Sequence, residues 1–380
     1  MDKRLRLGLV YLWDESWLGG YYYVLNLLRA LDTLSDDRKP FVRLYCLKDE
    51  AFDHLKADSG YEYLEKTIVR KLTWKMIIRK LMRYLIHEKA DNINIFNTDI
   101  DGDLIYPLSE GRHSDKMVYW IQDFQDKYLP EMFLAKSIKY KDYVINSCCK
   151  RGIPVVLSSK DAQDDFRKFY PVFKEHTTYV VHFAASQPDF GDVDIDAVRQ
   201  KYGINKRYLF CANQFWKHKN HLFLFKAFKK ALDKGLDLQL VCSGNMTDFR
   251  NPEYTDVLKS FITSNNLESR ILTLGMIDKK ELLCLMKYSY AVVQPSLFEG
   301  WNTTVEDCKA MSKFIFLSNL KVHQEQMDKN VCFFDPYDED DLADKLLTVE
   351  PKEEVYDYSR CINEFGETIY NLMVSRSALK

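Results

Sequence analysis

The sequence predicts an α/β protein built from two Rossmann-like domains, each with a doubly wound parallel sheet. Three observations predict it. Short apolar runs of strand length alternate with segments of helical period along nearly the whole chain. The chain opens on strand, glycine-containing loop and helix, and that order restarts near Tyr208 after a polar stretch. One stretch, Ala291 to Phe316, reads as a complete strand–loop–helix–strand unit, AVVQPSLFEGWNTTVEDCKAMSKFIF. Such units place ligands at the carboxyl ends of their strands.

Length and composition set the bounds. A chain of 380 residues, 46% of them hydrophobic, suffices for two or three packed domains. The 24 Tyr and 23 Phe favour large cores and stacking surfaces. A formal net charge of -2 gives no reason to expect a nucleic-acid partner. Nine cysteines are scattered without a Cys-x-x-Cys pair, which fits a reducing, cytoplasmic compartment with thiols as small core residues. The apolar run Leu7 to Trp13 is cut off by Asp14 and Glu15, too short for a signal peptide or membrane span. It reads as a first core strand, Leu5 to Leu12.

In chain order, that strand leads through Gly19-Gly20 to a helix expected from about Tyr21. The loop lacks the full dinucleotide glycine pattern, which disfavours NAD. Lys66 to Lys89 carries Lys71, Lys75, Arg79 and Arg83 four residues apart, opposite Ile78, Leu81, Met82 and Leu85. A basic amphipathic helix of this kind can contact an anionic membrane or simply solvate one face of a domain helix. After strand Ile93 to Phe96, Asp99, Asp101 and Asp103 crowd one loop, a rival signal for a metal-held diphosphate. Strand Met117 to Ile121 ends on Gln122-Asp123, where Asp123 can bind a sugar or order the loop. Strand Val155 to Leu157, a cap at Ser158-Ser159, a helix through Tyr170 and strand Tyr179 to His182 complete the first domain, residues 1–187.

Residues 188–206 are polar, with Pro188, Gly191 and several aspartates, and read as a linker. The second domain, 207–352, has strands Tyr208 to Ala212, Leu238 to Cys242, Ile271 to Leu274, Ala291 to Gln294, Phe314 to Leu317 and Val331 to Phe334. Residues 353–380 carry a last helical pattern. The loop Gln214 to Asn220 follows a strand and opens a helix, where Lys217, Lys219 and free amides suit a diphosphate. Asn302 is a capping residue before Thr303 and Thr304, and Glu299, Glu306 and Asp307 can hold sugar hydroxyls.

Glu-Gly-Trp-Asn-Thr-Thr-Val-Glu-Asp, Glu299 to Asp307, resembles the signature of retaining glycosyltransferases of family four, two glutamates with seven residues between them around Glu-Gly-Phe-Gly. In a gapless match Glu299 is the first acid and Asp307 falls on the second, with Glu306 one residue early; which of these two fills the second role stays open. The resemblance implies the GT-B fold, two Rossmann-like domains facing across a cleft, with the carboxyl-terminal helix crossing back to the first. It implies transfer of a hexose from a nucleotide diphosphate sugar to a glycan or lipid-linked acceptor, without metal or other cofactor, on the cytoplasmic side of a membrane. Lys219 matches the lysine that neutralises the leaving group, with Glu299 beside it as the other catalytic residue. Gln214 stands where the family has an arginine, and Gln122 where many relatives have a histidine. Gly19, Gly20, Asp123, Lys217, Gly244, Gly300, Trp301, Asn302, Thr303, Thr304, Glu306 and Asp307 complete the implied donor site. An epimerase or phosphorylase on this fold, or a silent nucleotide-sugar-binding subunit, are the alternative readings.

Overall fold

The computed structural model describes residues 4–11, 18–69, 100–108, 116–248 and 250–378. Most of the basic segment after Val69, the expected strand at 93–96, Asp99 and the loop at 14–17 lie outside the described residues. The chain divides into two compact units. One comprises residues 1–124, 135–185 and 359–380; the other comprises 125–134 and 186–358.

The first unit is a seven-stranded sheet of β1 (Arg6–Tyr11), β2 (Phe41–Cys46), β3 (Leu64–Ile68), β4 (Leu104–Leu108), β5 (Met117–Ile121), β6 (Val155–Leu157) and β7 (Thr178–Val180). Their order is β3-β2-β1-β4-β5-β6-β7, and every paired strand runs parallel. Strands such as β5, buried at all five positions, read as continuous apolar runs because helices cover both faces. Helix Lys160–Phe169 starts where its cap was expected, with the Ser159 hydroxyl accepting from the Ala162 N–H at 3.0 Å.

Several expectations change here. The first helix spans Leu18–Asp32, so Gly19 and Gly20 form its first turn and are not a loop before a helix that starts at Tyr21. Lys66, expected at the head of a basic helix, lies in β3 instead, where its ammonium meets Asp49 at 2.6 Å. Asp101 and Asp103 enter β4 at the amino ends of the parallel strands, away from the ends where such sheets take ligands. There Asp103 Oδ2 accepts from the Arg6 N–H at 2.8 Å. Among the described residues no three His, Cys, Asp or Glu side chains are grouped to hold a metal ion. Among the described residues, no helix is long and apolar enough to cross a membrane.

Helix Tyr358–Ser377 belongs to this first unit from Ser359 onward. Arg38 grips Glu367 with two hydrogen bonds of 2.6 and 2.7 Å and stacks over Tyr370 at 4.4 Å. Lys116 Nζ donates to the Arg376 carbonyl at 2.7 Å, where a cation complements the helix carboxyl end. Gly366 allows the closest approach: a Cβ there would stand 2.3 Å from the Ala30 carbonyl oxygen.

The second unit is a six-stranded parallel sheet of β8 (Tyr208–Ala212), β9 (Gln239–Ser243), β10 (Ile271–Thr273), β11 (Ala291–Gln294), β12 (Ile315–Ser318) and β13 (Val331–Phe334), ordered β10-β9-β8-β11-β12-β13. One face packs Phe223, Phe225 and Phe228 of helix His221–Asp233 against Leu240, Val293 and Phe316. The other packs Val305, Cys308 and Met311 against Phe210, Val292 and Ile315. Residues 188–206 are not a bare linker. They belong to this unit and contain helix Ile195–Lys201, because the Asp194 carboxylate caps the N–H groups of Asp196 and Ala197.

Replacing Gly366 by alanine should lower the stability of the first unit by about 1–3 kcal/mol, because the clash is with backbone and cannot relax by a rotamer change. Denaturant unfolding of G366A checks this; an unchanged midpoint would mean that the helix does not seat against Ala30.

Candidate functional site

The site in the second unit is built from the loops that leave β8 and β11. Their exits are locked side by side by a buried amide pair. Asn213 Nδ2 donates to Gln294 Oε1 at 2.7 Å, and Gln294 Nε2 donates back to Asn213 Oδ1 at 2.9 Å. Both residues are buried, where two satisfied amides rigidify and an unsatisfied one would be costly. The Leu297 N–H then donates to the His218 carbonyl at 2.8 Å, joining the two loops further along.

Lys217–Lys219 form a single 3-10 turn, ended by Asn220 in the left-handed region at φ 61°. Asparagine tolerates that conformation better than most residues. This turn brings Lys219 to Glu299: Nζ stands 2.6 Å from Oε1, and the two side chains are only 15% and 10% exposed. Asn302 Nδ2 donates to the same carboxylate oxygen at 3.1 Å. The two residues expected to be catalytic are therefore ion-paired. Lys217 is not at this pair; it is exposed, and its N–H donates to Asp248 Oδ2 at 3.1 Å.

Gln214, in the position of the family's arginine, braces a turn. Its Oε1 accepts from the Asn245 N–H at 2.9 Å. Gly244 is needed beside it, since a Cβ there would fall 1.9 Å from the Asn213 carbonyl oxygen.

Helix Thr303–Ala310 opens as expected on Asn302, whose Oδ1 accepts from Thr304 N at 2.8 Å and Val305 N at 3.2 Å. The Asn302 N–H in turn donates to Gln326 Oε1 at 3.2 Å. Two of the three amides expected to face a phosphate, those of Asn302 and Thr304, are thus already used. The Thr303 N–H stands outside this set, and Thr304 Oγ1 donates to the Ala212 carbonyl at 3.0 Å.

The two neighbouring acids diverge. Glu306 points inward and is satisfied by Lys309 Nζ at 3.2 Å, Gln326 Nε2 at 2.8 Å and the Tyr358 hydroxyl at 2.6 Å. Asp307, also buried, faces the start of helix Lys279–Tyr288, where Lys279 Nζ stands at 2.9 Å and Gln187 Nε2 at 3.3 Å. Asp123, Gly19 and Gly20 belong to the first unit, where Lys141 Nζ donates to the Asp123 carbonyl at 2.8 Å.

Two histidines escaped the sequence reading. His323 is fully buried, with Nδ1 hydrogen-bonded to the Ser318 carbonyl at 2.8 Å, and burial pushes its pKa down to about 4 against the opposing charge of Glu299. His218 is pushed down to about 2 by burial, with Lys219 and Arg250 adding to the effect. No local pattern flags either one; their burial comes from tertiary packing.

Removing the buried carboxylate in Glu306→Ala should cost about 3–5 kcal/mol by stranding Lys309, whereas Asp307→Asn, which keeps the side-chain shape beside the partly exposed Lys279, should cost less. Equal losses in urea unfolding would refute this division. Both histidines are held neutral below their ordinary pKa, so the unfolded chain binds more protons than the folded one under acid. Stability is full above pH about 6.5 and falls through about 4, by at most about 1.4 kcal/mol per pH unit per histidine. In His323→Asn that acid slope should shrink; an unaltered slope would contradict it.

Residues 194–364 match the family Glycosyl transferases group 1. The O-antigen chain mannosyltransferase RfbU of Salmonella typhimurium is 23% identical over 231 residues, 60% of this chain and 60% of that protein's length. Anabaena HepE (Alr3699), solved with UDP and glucose, superposes with TM-score 0.63 at 17% identity, over 98% of this chain and 95% of that one. WaaG, a glycosyltransferase involved in lipopolysaccharide biosynthesis, gives TM-score 0.56 at 13% identity, over 98% of each chain. These likenesses establish the two-Rossmann GT-B architecture. On that fold, the match to glycosyl transferases group 1 spans residues 194–364, nearly the whole of the second unit.

Proposed function

We propose that the chain is a retaining, metal-independent glycosyltransferase. It moves a hexose from a nucleotide diphosphate sugar to a glycan or lipid-linked acceptor in polysaccharide or glycoconjugate biosynthesis. The observation that carries this reading is the Lys219–Glu299 pair at 2.6 Å, at the carboxyl ends of β8 and β11 in a group 1 domain. The names of the mannosyltransferase RfbU and of HepE bound to UDP-glucose support a hexose donor of this class.

In this reading each member of the pair exchanges its partner when donor enters. Lys219 turns its ammonium to the diphosphate, and Glu299, released, accepts hydrogen bonds from the sugar hydroxyls. As the bond from the anomeric carbon to the diphosphate oxygen breaks, negative charge grows on the leaving group beside Lys219, where fixed charge is most effective. The acceptor oxygen bonds to the same face of that carbon, and its proton passes to the departing phosphate, so no protein base is assigned. Of the two acids, Asp307 is the one for the ribose diol, since Glu306 is committed to the helix interior. Asp123, Gly19 and Gly20, in the first unit, are assigned to the donor as well. With a lipid-linked acceptor, the basic stretch from Lys71 to Lys89 is the candidate for contact with an anionic membrane at its cytoplasmic face.

Calorimetric titration of UDP, GDP, dTDP and their common sugars, with and without EDTA, tests the reading. One nucleotide should bind tightly whether or not EDTA is present; binding lost with EDTA would move the chemistry to a metal site. Lys219→Ala should cut donor turnover by about 10²–10³-fold, read per folded molecule because the change also leaves Glu299 without its cation. Asp307→Asn should weaken nucleotide binding while Glu306→Gln lowers stability alone. The opposite assignment would give Glu306 the ribose.

A further inference from the structure

The amino ends of the β8–β13 sheet hold a second cavity, opposite the Lys219–Glu299 end. It encloses about 340 Å³ and is walled by Arg199, Lys206, Arg207, Tyr288, Tyr290 and Glu350, among others. Its chemistry is not that of a salt-bridged surface dimple, because several donors in it are unused. Arg199 Nε is buried without a hydrogen-bond partner. The nearest groups to its other nitrogens are at the limit of interaction, the Lys206 carbonyl at 3.5 Å and Asp196 at 4.0 Å. Arg207 is held by stacking, with its guanidinium 4.5 Å from the Tyr290 ring centroid. Among the described residues that guanidinium meets no hydrogen-bond acceptor. The other charges are already matched: Lys206 Nζ lies 2.6 Å from Asp237, and Lys313 Nζ lies 2.7 Å from Glu353, which also lines the cavity. What is left over is two guanidinium forks, one carboxylate, Glu350, and the open ring of Tyr288, 59% exposed.

We propose that this cavity is a second binding site, for a phosphorylated sugar, separate from the donor site. Planar guanidinium groups match phosphate oxygens two at a time, and Arg199 gains there the partner its buried nitrogen lacks. Glu350, an acceptor only, is suited to sugar hydroxyls, and the Tyr288 face to the apolar side of a pyranose. The volume lies at the lower end of the range for small-molecule sites, which suits a monosaccharide phosphate. The proposal does not depend on the reaction assigned to the opposite end of the sheet.

Calorimetry at low ionic strength tests it, with glucose 1-phosphate and inorganic phosphate as probes. Glucose 1-phosphate should bind the wild-type chain and Lys219→Ala equally, and Arg199→Gln/Arg207→Gln about tenfold or more weakly. Glu350→Gln should weaken the sugar ester and leave inorganic phosphate unchanged, which separates hydroxyl recognition from plain anion binding. No binding to the wild-type chain would overturn the proposal. So would binding that the double arginine variant leaves intact, or that Lys219→Ala abolishes. Equal affinity for phosphate and sugar ester would overturn the sugar assignment.

Discussion

Everything at the candidate site depends on the buried ion pair between Lys219 and Glu299. Two charges this secluded cannot stand alone: removing either partner leaves the other desolvated, a larger cost than the pair itself repays. They can, however, be re-partnered. A diphosphate offers Lys219 a stronger anion than Glu299, and sugar hydroxyls offer Glu299 donors in place of the ammonium. A ligand with both groups satisfies both at once, whereas a ligand with only one strands a charge. In the proposed reaction, such a pair would favour an anion joined to a polyol. The reciprocal amides of Asn213 and Gln294 make this selection possible, since they hold the two loops in register before any ligand arrives.

The neighbouring acids Glu306 and Asp307 show how one residue of helix decides a role. Successive side chains on a helix point about 100° apart, so adjacent carboxylates cannot serve the same surface. Here the turn sends Glu306 into a cage of Lys309, Gln326 and Tyr358, and Asp307 out to Lys279. Glu306 then fixes the helix to the segment that follows β13, and Asp307 remains beside the loop after β10. The structural and the ligand-facing duties are thereby separated without any change in chemistry between the two side chains.

The second sheet was legible from sequence almost to the residue, and the reason is burial. Strands such as Tyr208–Ala212, Ala291–Gln294 and Val331–Phe334 are continuous apolar runs bounded by polar or breaking residues, so their ends are written locally. In the first unit β2 and β4 were not seen: Arg43 interrupts the one, and Pro107 sits inside the other. The linker expected at 188–206 hid a helix of seven residues, made by an Asp194 cap that looks like any loop aspartate. Lys219 and Glu299 were legible because their motif spacing is short. Their pairing, 80 residues apart in sequence, was not, and neither was the burial of His218 and His323.

The amino terminus of helix Thr303–Ala310 is the place where local and tertiary logic part. A helix start beside a ligand loop suggests an anion cradle of free amides. In this chain Asn302 takes two of those amides for itself and gives a third to Gln326. A self-capped helix is more stable alone and less available to a guest. In the proposed reaction, charge compensation for a diphosphate would then fall to side chains, above all Lys219, with the macrodipole as background. Asn302 still takes part, through its Nδ2 hydrogen bond to Glu299, so the residue that caps the helix also orients the carboxylate. One asparagine thus ties the helix start to the carboxylate, and the proposed reaction divides the labour accordingly: cation for phosphate on the β8 side, carboxylate for sugar on the β11 side.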